Sequence, residues 1–207
     1  MKSINAGAKA GTGLNIFYYG KGKGKTTAVM GLAARAAGAG MDVCILQFVK
    51  AEEPKKGKSL ESGEWPLSSE FVYFRAAGKK YGAGKGTGKI EFQQVGRGFV
   101  GILGDKKQRA AHTKAAKQGL ELARKAIKSG KYGLVVMDEL VSALELKLLP
   151  EKDILSLITQ KPPDLHLAYT GHQPFKKIIA ASDLVSEMKM VKHPYYRGIM
   201  AQRGIDF

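Results

Sequence analysis

A chain of 207 residues is of single-domain size and long enough to bury a core of its own. Its 44% hydrophobic and 25% charged residues suit a globular domain, its lone cysteine excludes an internal disulfide, and no apolar run approaches the ~18 residues a membrane span needs. The net charge of +16 implies affinity for anions without choosing the anion, because it is spread end to end with no regular interleaving of aromatics.

The opening MKSINAGAKAGTGLN lacks the apolar centre of a signal peptide, so a cytoplasmic location is expected. Residues 1–13 read as a flexible tail and residues 14–207 as one domain. Leu14–Tyr19 reads as a buried strand, Thr27–Ala39 as a helix ending at glycines, and Val43–Val49 as a second buried strand holding Cys44 as a structural thiol. Strand, loop, helix and strand make a βαβ unit, which implies a parallel sheet covered by helices.

Ala51–Ser69, with Pro54, Pro66, Trp65 and the Lys55–Lys58 run, reads as a polar excursion, and Glu70–Phe74 as a short strand. Ala76–Lys89 carries five glycines and four lysines and reads as a loop or a ligand flap. A short strand is expected before Gly96. Asp105–Lys128 is the longest helical stretch, with Ala116, Leu120, Ala123 and Ile127 on one face, and His112 is expected to be solvated. Leu134–Met137 and Leu165–Tyr169 read as strands, with His166 pointing to one sheet face. Glu151–Thr159 and Phe175–Ala181 read as helices, and Asp183–Met188 as a last strand before an aperiodic tail.

Gly20-Lys21-Gly22-Lys23-Gly24-Lys25-Thr26-Thr27 lies between a strand and a helix. In that context the glycines aim successive backbone N–H groups inward as an anion nest, and the helix start adds a positive end. Lys25 is expected to reach the phosphates of a nucleotide and Thr26 to offer its hydroxyl to Mg²⁺. The loop is a variant, since the standard pattern requires glycine where Tyr19 stands. Asp138 and Glu139 follow an apolar strand, which carries them to the sheet edge where such carboxylates hold Mg²⁺ directly or through water. Gly96-Arg97-Gly98-Phe99-Val100-Gly101 spells a dinucleotide fingerprint without the helix that should follow it, and is set aside.

The string GKGKGKTTAVMGLAARAAGAG followed by QFVK, then LVVMDEL, TGHQP, SDLVSEM and KHPYYRGIMAQRGIDF, resembles in order the motifs of the P-loop ATP:corrinoid adenosyltransferases. The resemblance implies a RecA-like P-loop NTPase fold, an α/β architecture with a mostly parallel sheet and helices on both faces. It implies a homodimer and an electron-supplying reductase. It also implies a reaction in which the Co(I) of a corrinoid attacks the 5′ carbon of ATP and triphosphate leaves. In that chemistry Lys25, Thr26 and Glu139 are the catalytic candidates, with Thr26, Asp138 and Glu139 around the metal. Phe99, in the Gly-x-Gly-Phe turn, would face the corrinoid or be an ordinary core aromatic.

The sequence departs from the family pattern at Lys21, where asparagine or aspartate is common, at Gly101, where tryptophan is, and at His172, where arginine is. Lys79–Lys89 is longer and more basic than the pattern. Asp183 and Glu187 either contact ligand or cap the sheet edge, and His193 makes a structural hydrogen bond or takes part in chemistry. The competing functions are a generic P-loop ATPase or kinase and a nucleotide-gated nucleic-acid binder, the latter motivated only by charge.

Overall fold

The computed structural model describes residues 12–49, 68–81, 86–98, 100 and 108–206. In chain order the elements are β1 (Asn15–Tyr19), α1 (Lys25–Gly38), β2 (Val43–Gln47), α2 (Ser69–Tyr81), β3 (Ile90–Gln94), α3 (Arg109–Lys128) and β4 (Leu134–Asp138). Then come α4 (Leu140–Glu145), α5 (Glu151–Thr159), β5 (His166–Gly171), α6 (Lys176–Ala180), β6 (Leu184–Glu187) and a 3-10 turn at Pro194–Arg197. The strands form a six-stranded sheet in the order β3-β2-β4-β5-β1-β6, and every neighbouring pair is parallel.

A parallel sheet is buried on both faces, which is why its central strands β2 and β4 are apolar almost throughout and every residue in them is buried. Period-2 alternation sends Val43 and Ile45 to one face and Cys44 and Leu46 to the other. Helices α1 and α2 cover the first face, where Val29, Met30, Ala33 and Phe74 pack on Ile16, Ile45 and Val136. On the second face, Leu120, Ala123 and Ile127 of α3 join Leu140, Ile154 and Ile178 against Phe17, Leu46 and Tyr169. The α/β architecture with helices on both faces is as expected.

Four local expectations change. Glu70–Phe74 is not a strand but the first half of α2. Phe71 and Phe74 are buried while Val72 and Tyr73 between them are 52% and 66% exposed, a helical spacing that a five-residue apolar run cannot display. The segment read as a loop from Ala76 is α2 as far as Tyr81. The far end of that segment is pinned to the end of α1 by Gly88 N–H on the Ala37 carbonyl and to the turn before β2 by Lys89 N–H on the Asp42 carboxylate. His112 is buried, because the apolar stripe of α3 runs through it to Ala115, Ala116 and Gly119. The helix α4 immediately after Glu139 was not expected, six residues being too short to show a period. The expected strand before Gly96 is β3, and the last strand is β6.

Candidate nucleotide-binding site

The phosphate-loop candidate leaves the carboxyl end of β1 and enters α1, at the sheet edge where open α/β sheets bind ligands. Gly20 has φ 121°, and a Cβ there would stand 2.4 Å from the Met188 carbonyl oxygen; at Gly22 the same oxygen would be 2.6 Å away. Side chains are thus barred at both positions, which lets Gly22 N–H donate to Met188 O at 2.8 Å. Gly24 precedes α1 in the left-handed region, with no side-chain cap and no acid in the first turn. The positive end of the helix is therefore not offset by a carboxylate of its own.

Lys25 is only 7% exposed, and its Nζ donates to the carbonyl oxygens of Gly20 at 2.7 Å and Gly22 at 2.8 Å. The ammonium is folded into its own loop, where a ligand oxygen could replace either carbonyl. Lys21, Lys23 and Thr27 are exposed at the loop surface. Lys23 pairs with Asp206, which brings the chain's last turn against the loop and holds the Asp206 carboxyl below the usual carboxylate range.

Asp138 lies at the end of β4, fully buried, and three side chains donate to it. Thr26 Oγ1 is 3.2 Å from both carboxylate oxygens, Thr170 Oγ1 donates to Oδ1 at 2.8 Å, and Gln47 Nε2 donates to Oδ2 at 3.0 Å. Such a set fixes the carboxylate beside the Thr26 hydroxyl, two hard oxygen donors of the kind magnesium takes. Glu139 points elsewhere. It has φ 61°, a conformation uncommon outside glycine, and its N–H donates to Thr170 Oγ1 at 2.7 Å. Ser142 donates to its carboxylate, and His172 Nδ1 lies 3.1 Å from Ser142 Oγ, 4.0 Å from Glu139 Oε2 and 3.7 Å from Glu145 Oε2.

The structure therefore brings Lys25, Thr26 and Asp138 together and turns Glu139 toward Ser142 and His172. Asp183 accepts from Asn15 N–H at 2.7 Å and so caps the sheet edge, Glu187 pairs with Lys189, and His193 Nδ1 accepts from Tyr195 N–H. His166 Nδ1 accepts from Leu14 N–H. The turn Gly96–Gly98 sits over a small cavity lined by Phe48, Arg97, Gly98, Val100 and His112. Phe99, Gly101, Trp65 and Lys55–Lys58 lie outside the described residues, as do residues 1–11 of the expected tail.

Gln47, Thr170 and Ser142 were not singled out from sequence. Gln47 carried a signal: an amide ending an otherwise apolar buried strand needs a polar partner.

The model of the family described as ATP:corrinoid adenosyltransferase BtuR/CobO/CobP matches residues 11–207. A corrinoid adenosyltransferase of Escherichia coli K12 is 30% identical over 195 residues, 94% of this chain and 86% of the relative. Corrinoid adenosyltransferase CobA of Salmonella typhimurium is 31% identical over 202 residues, 98% and 89% of the two chains. A corrinoid adenosyltransferase of Pseudomonas aeruginosa is 30% identical, again over 202 residues, 98% of this chain and 87% of the relative. Among solved structures, the assembled type III secretion ATPase EscN of enteropathogenic E. coli superposes with a TM-score of 0.45 at 15% identity, covering 84% of this chain and 42% of that one.

Proposed function

Because this chain belongs to the ATP:corrinoid adenosyltransferase family, we propose that it transfers the 5′-deoxyadenosyl group of ATP to Co(I) of cobalamin or a corrinoid precursor. The observation that carries the reading is the family match across residues 11–207. The phosphate loop at the end of β1 and the Thr26–Asp138 pair support it from the geometry.

In the reaction a Co–C bond forms at the 5′ carbon as its C–O bond breaks, and the electron pair leaves on the triphosphate. Cobalt is the nucleophile, so the chain's residues are needed for position and charge, not for covalent attack. Lys25 exchanges the Gly20 and Gly22 carbonyls for phosphate oxygens, and the loop N–H groups with the start of α1 face the same charge. Thr26 and Asp138 would hold magnesium, and Glu139, turned toward Ser142 and His172, would reach it through water. When bound, the metal neutralises part of the charge that develops on the departing triphosphate. Gly20, Lys21, Gly22, Lys23, Gly24 and Thr27 complete the ATP loop, and Phe99 is assigned to the corrinoid side.

We further propose a cytoplasmic homodimer served by a separate reductase; among the described residues no helix is long and apolar enough to cross a membrane. The test is anaerobic incubation with Mg-ATP and chemically reduced cob(I)alamin, following corrinoid absorbance and triphosphate together. Equimolar adenosylcobalamin and triphosphate, reduced about 10²–10³-fold in Lys25→Ala as for loss of an oxyanion donor, is the expected result. ATP binding with no corrinoid product would overturn the reading.

A further inference from the structure

Gln94, Gln47 and Asp138 stand side by side on three adjacent strands, Gln47 being register partner to Gln94 on β3 and to Asp138 on β4. Partners in register project to the same face of a sheet, and here it is the face covered by α1. Their side chains form one continuous row. Gln94 Nε2 donates to Gln47 Oε1 at 3.0 Å, and Gln47 Nε2 donates to Asp138 Oδ2 at 3.0 Å. The direction of the row is set by chemistry. A carboxylate only accepts, so Gln47 must turn its NH₂ toward Asp138, which leaves its carbonyl facing Gln94.

Gln47 is wholly buried, and an amide in that place is costly unless both its ends are satisfied. Its backbone is also engaged, since Val95 N–H donates to Gln47 O at 2.8 Å. Asp138 is thus approached by Thr26 from the phosphate loop, by Thr170 from β5, and by an amide whose far end is anchored on β3, two residues before Gly96. The first two donors lie at or beside the nucleotide loop. The third reaches toward the Gly96–Gly98 turn.

We infer that Gln47 is a positioning residue for Asp138, and that Gln94, acting through Gln47, couples the setting of this carboxylate to the end of β3. The inference rests on the reading of Asp138 as a magnesium-holding group. Its consequence is specific: removing the amide loosens Asp138 and weakens the metal-dependent part of nucleotide binding. The contribution of Lys25 and the loop N–H groups to metal-free ATP is untouched, because the hydrogen bonds of both glutamines run to each other and to Asp138.

The experiment is calorimetric titration of ATP into wild type, Gln47→Leu and Gln94→Leu, with and without Mg²⁺, folding being checked by circular dichroism. Loss of a group that hydrogen-bonds a metal-holding carboxylate typically costs ~10–100-fold in metal affinity. Gln47→Leu is expected to need about tenfold more Mg²⁺ for the same ATP affinity, and Gln94→Leu about threefold, a smaller effect because it acts at one remove; metal-free ATP affinity should stay constant in both. If Gln47→Leu does not fold, the partly exposed Gln94→Leu decides alone. Unchanged Mg²⁺ dependence in the folded variants would overturn the inference while leaving the nucleotide site intact. A wild type whose ATP affinity ignores Mg²⁺ would overturn both the inference and the reading of Asp138 beneath it.

Discussion

Replacing Thr170 by valine keeps the side chain's shape and removes one oxygen that makes two buried contacts. Thr170 Oγ1 donates to Asp138 Oδ1 at 2.8 Å and accepts from Glu139 N–H at 2.7 Å, and the residue is fully buried. Valine offers no hydroxyl, so Asp138 loses one donor while keeping Thr26 and Gln47, and Glu139 N–H loses its Thr170 acceptor. A hydrogen bond to a charged group is worth about 1.5–3 kcal/mol and a neutral one about 0.5–1.5 kcal/mol, so the two losses sum to about 3 kcal/mol. For a chain of this size, ~2–4 °C of melting temperature per kcal/mol translates that into a fall of roughly 6–12 °C. The control is Thr170→Ser, which keeps the oxygen and loses one methyl, at a cost of about 1 kcal/mol. Urea unfolding followed by circular dichroism measures all three proteins. A Thr170→Val variant within 1 kcal/mol of the serine control would refute the account of how the carboxylate and the left-handed Glu139 are held.

Three further outcomes test the fold. If α2 is a helix, Phe71→Ala should destabilise by about 3 kcal/mol while Val72→Ala stays within ~0.5 kcal/mol, as measured by denaturant unfolding. A strand would bury Val72 on the face of Phe74, so a large loss at Val72 would contradict the helix. Burial, with a smaller contribution from Glu91, pushes the Cys44 thiol up to about 12, so the native protein at pH 8 should resist a thiol reagent that labels it completely in guanidinium. Since the folded value lies above the ordinary 9.0, the neutral thiol's contribution to stability is intact below pH 9.0 and is lost as pH rises toward 12. Urea midpoints should hold up to pH 9.0 and fall above it, and a profile that stays flat above pH 9.0 would contradict the burial.

Continuous apolar runs were sufficient to locate β2 and β4, because strands buried on both faces have no polar residues to interrupt them. The phosphate loop was legible for a similar reason. Its glycines, lysines and following helix are contiguous, so the chemistry that binds an anion is written in adjacent residues. Asp138 was legible as the end of an apolar strand, and the ordered motifs carried the family. Short elements were not. Glu70–Phe74 and Leu140–Glu145 are too brief for a period to separate helix from strand, and only packing against the sheet settled them.

Tertiary structure also decided which partner each polar group found. Adjacent in sequence, Asp138 and Glu139 diverge because the second adopts a left-handed backbone, and that sends one to Thr26 and the other to Ser142. His112 went inside because the apolar stripe of α3 extends one turn beyond the residues that reveal it. Gln47 and Gln94 lie 47 residues apart and meet only because parallel pairing puts their strands in register. Local chemistry can be read along a chain. A hydrogen bond across strands depends on which strands neighbour each other and in what register, and that is a property of the packed sheet alone.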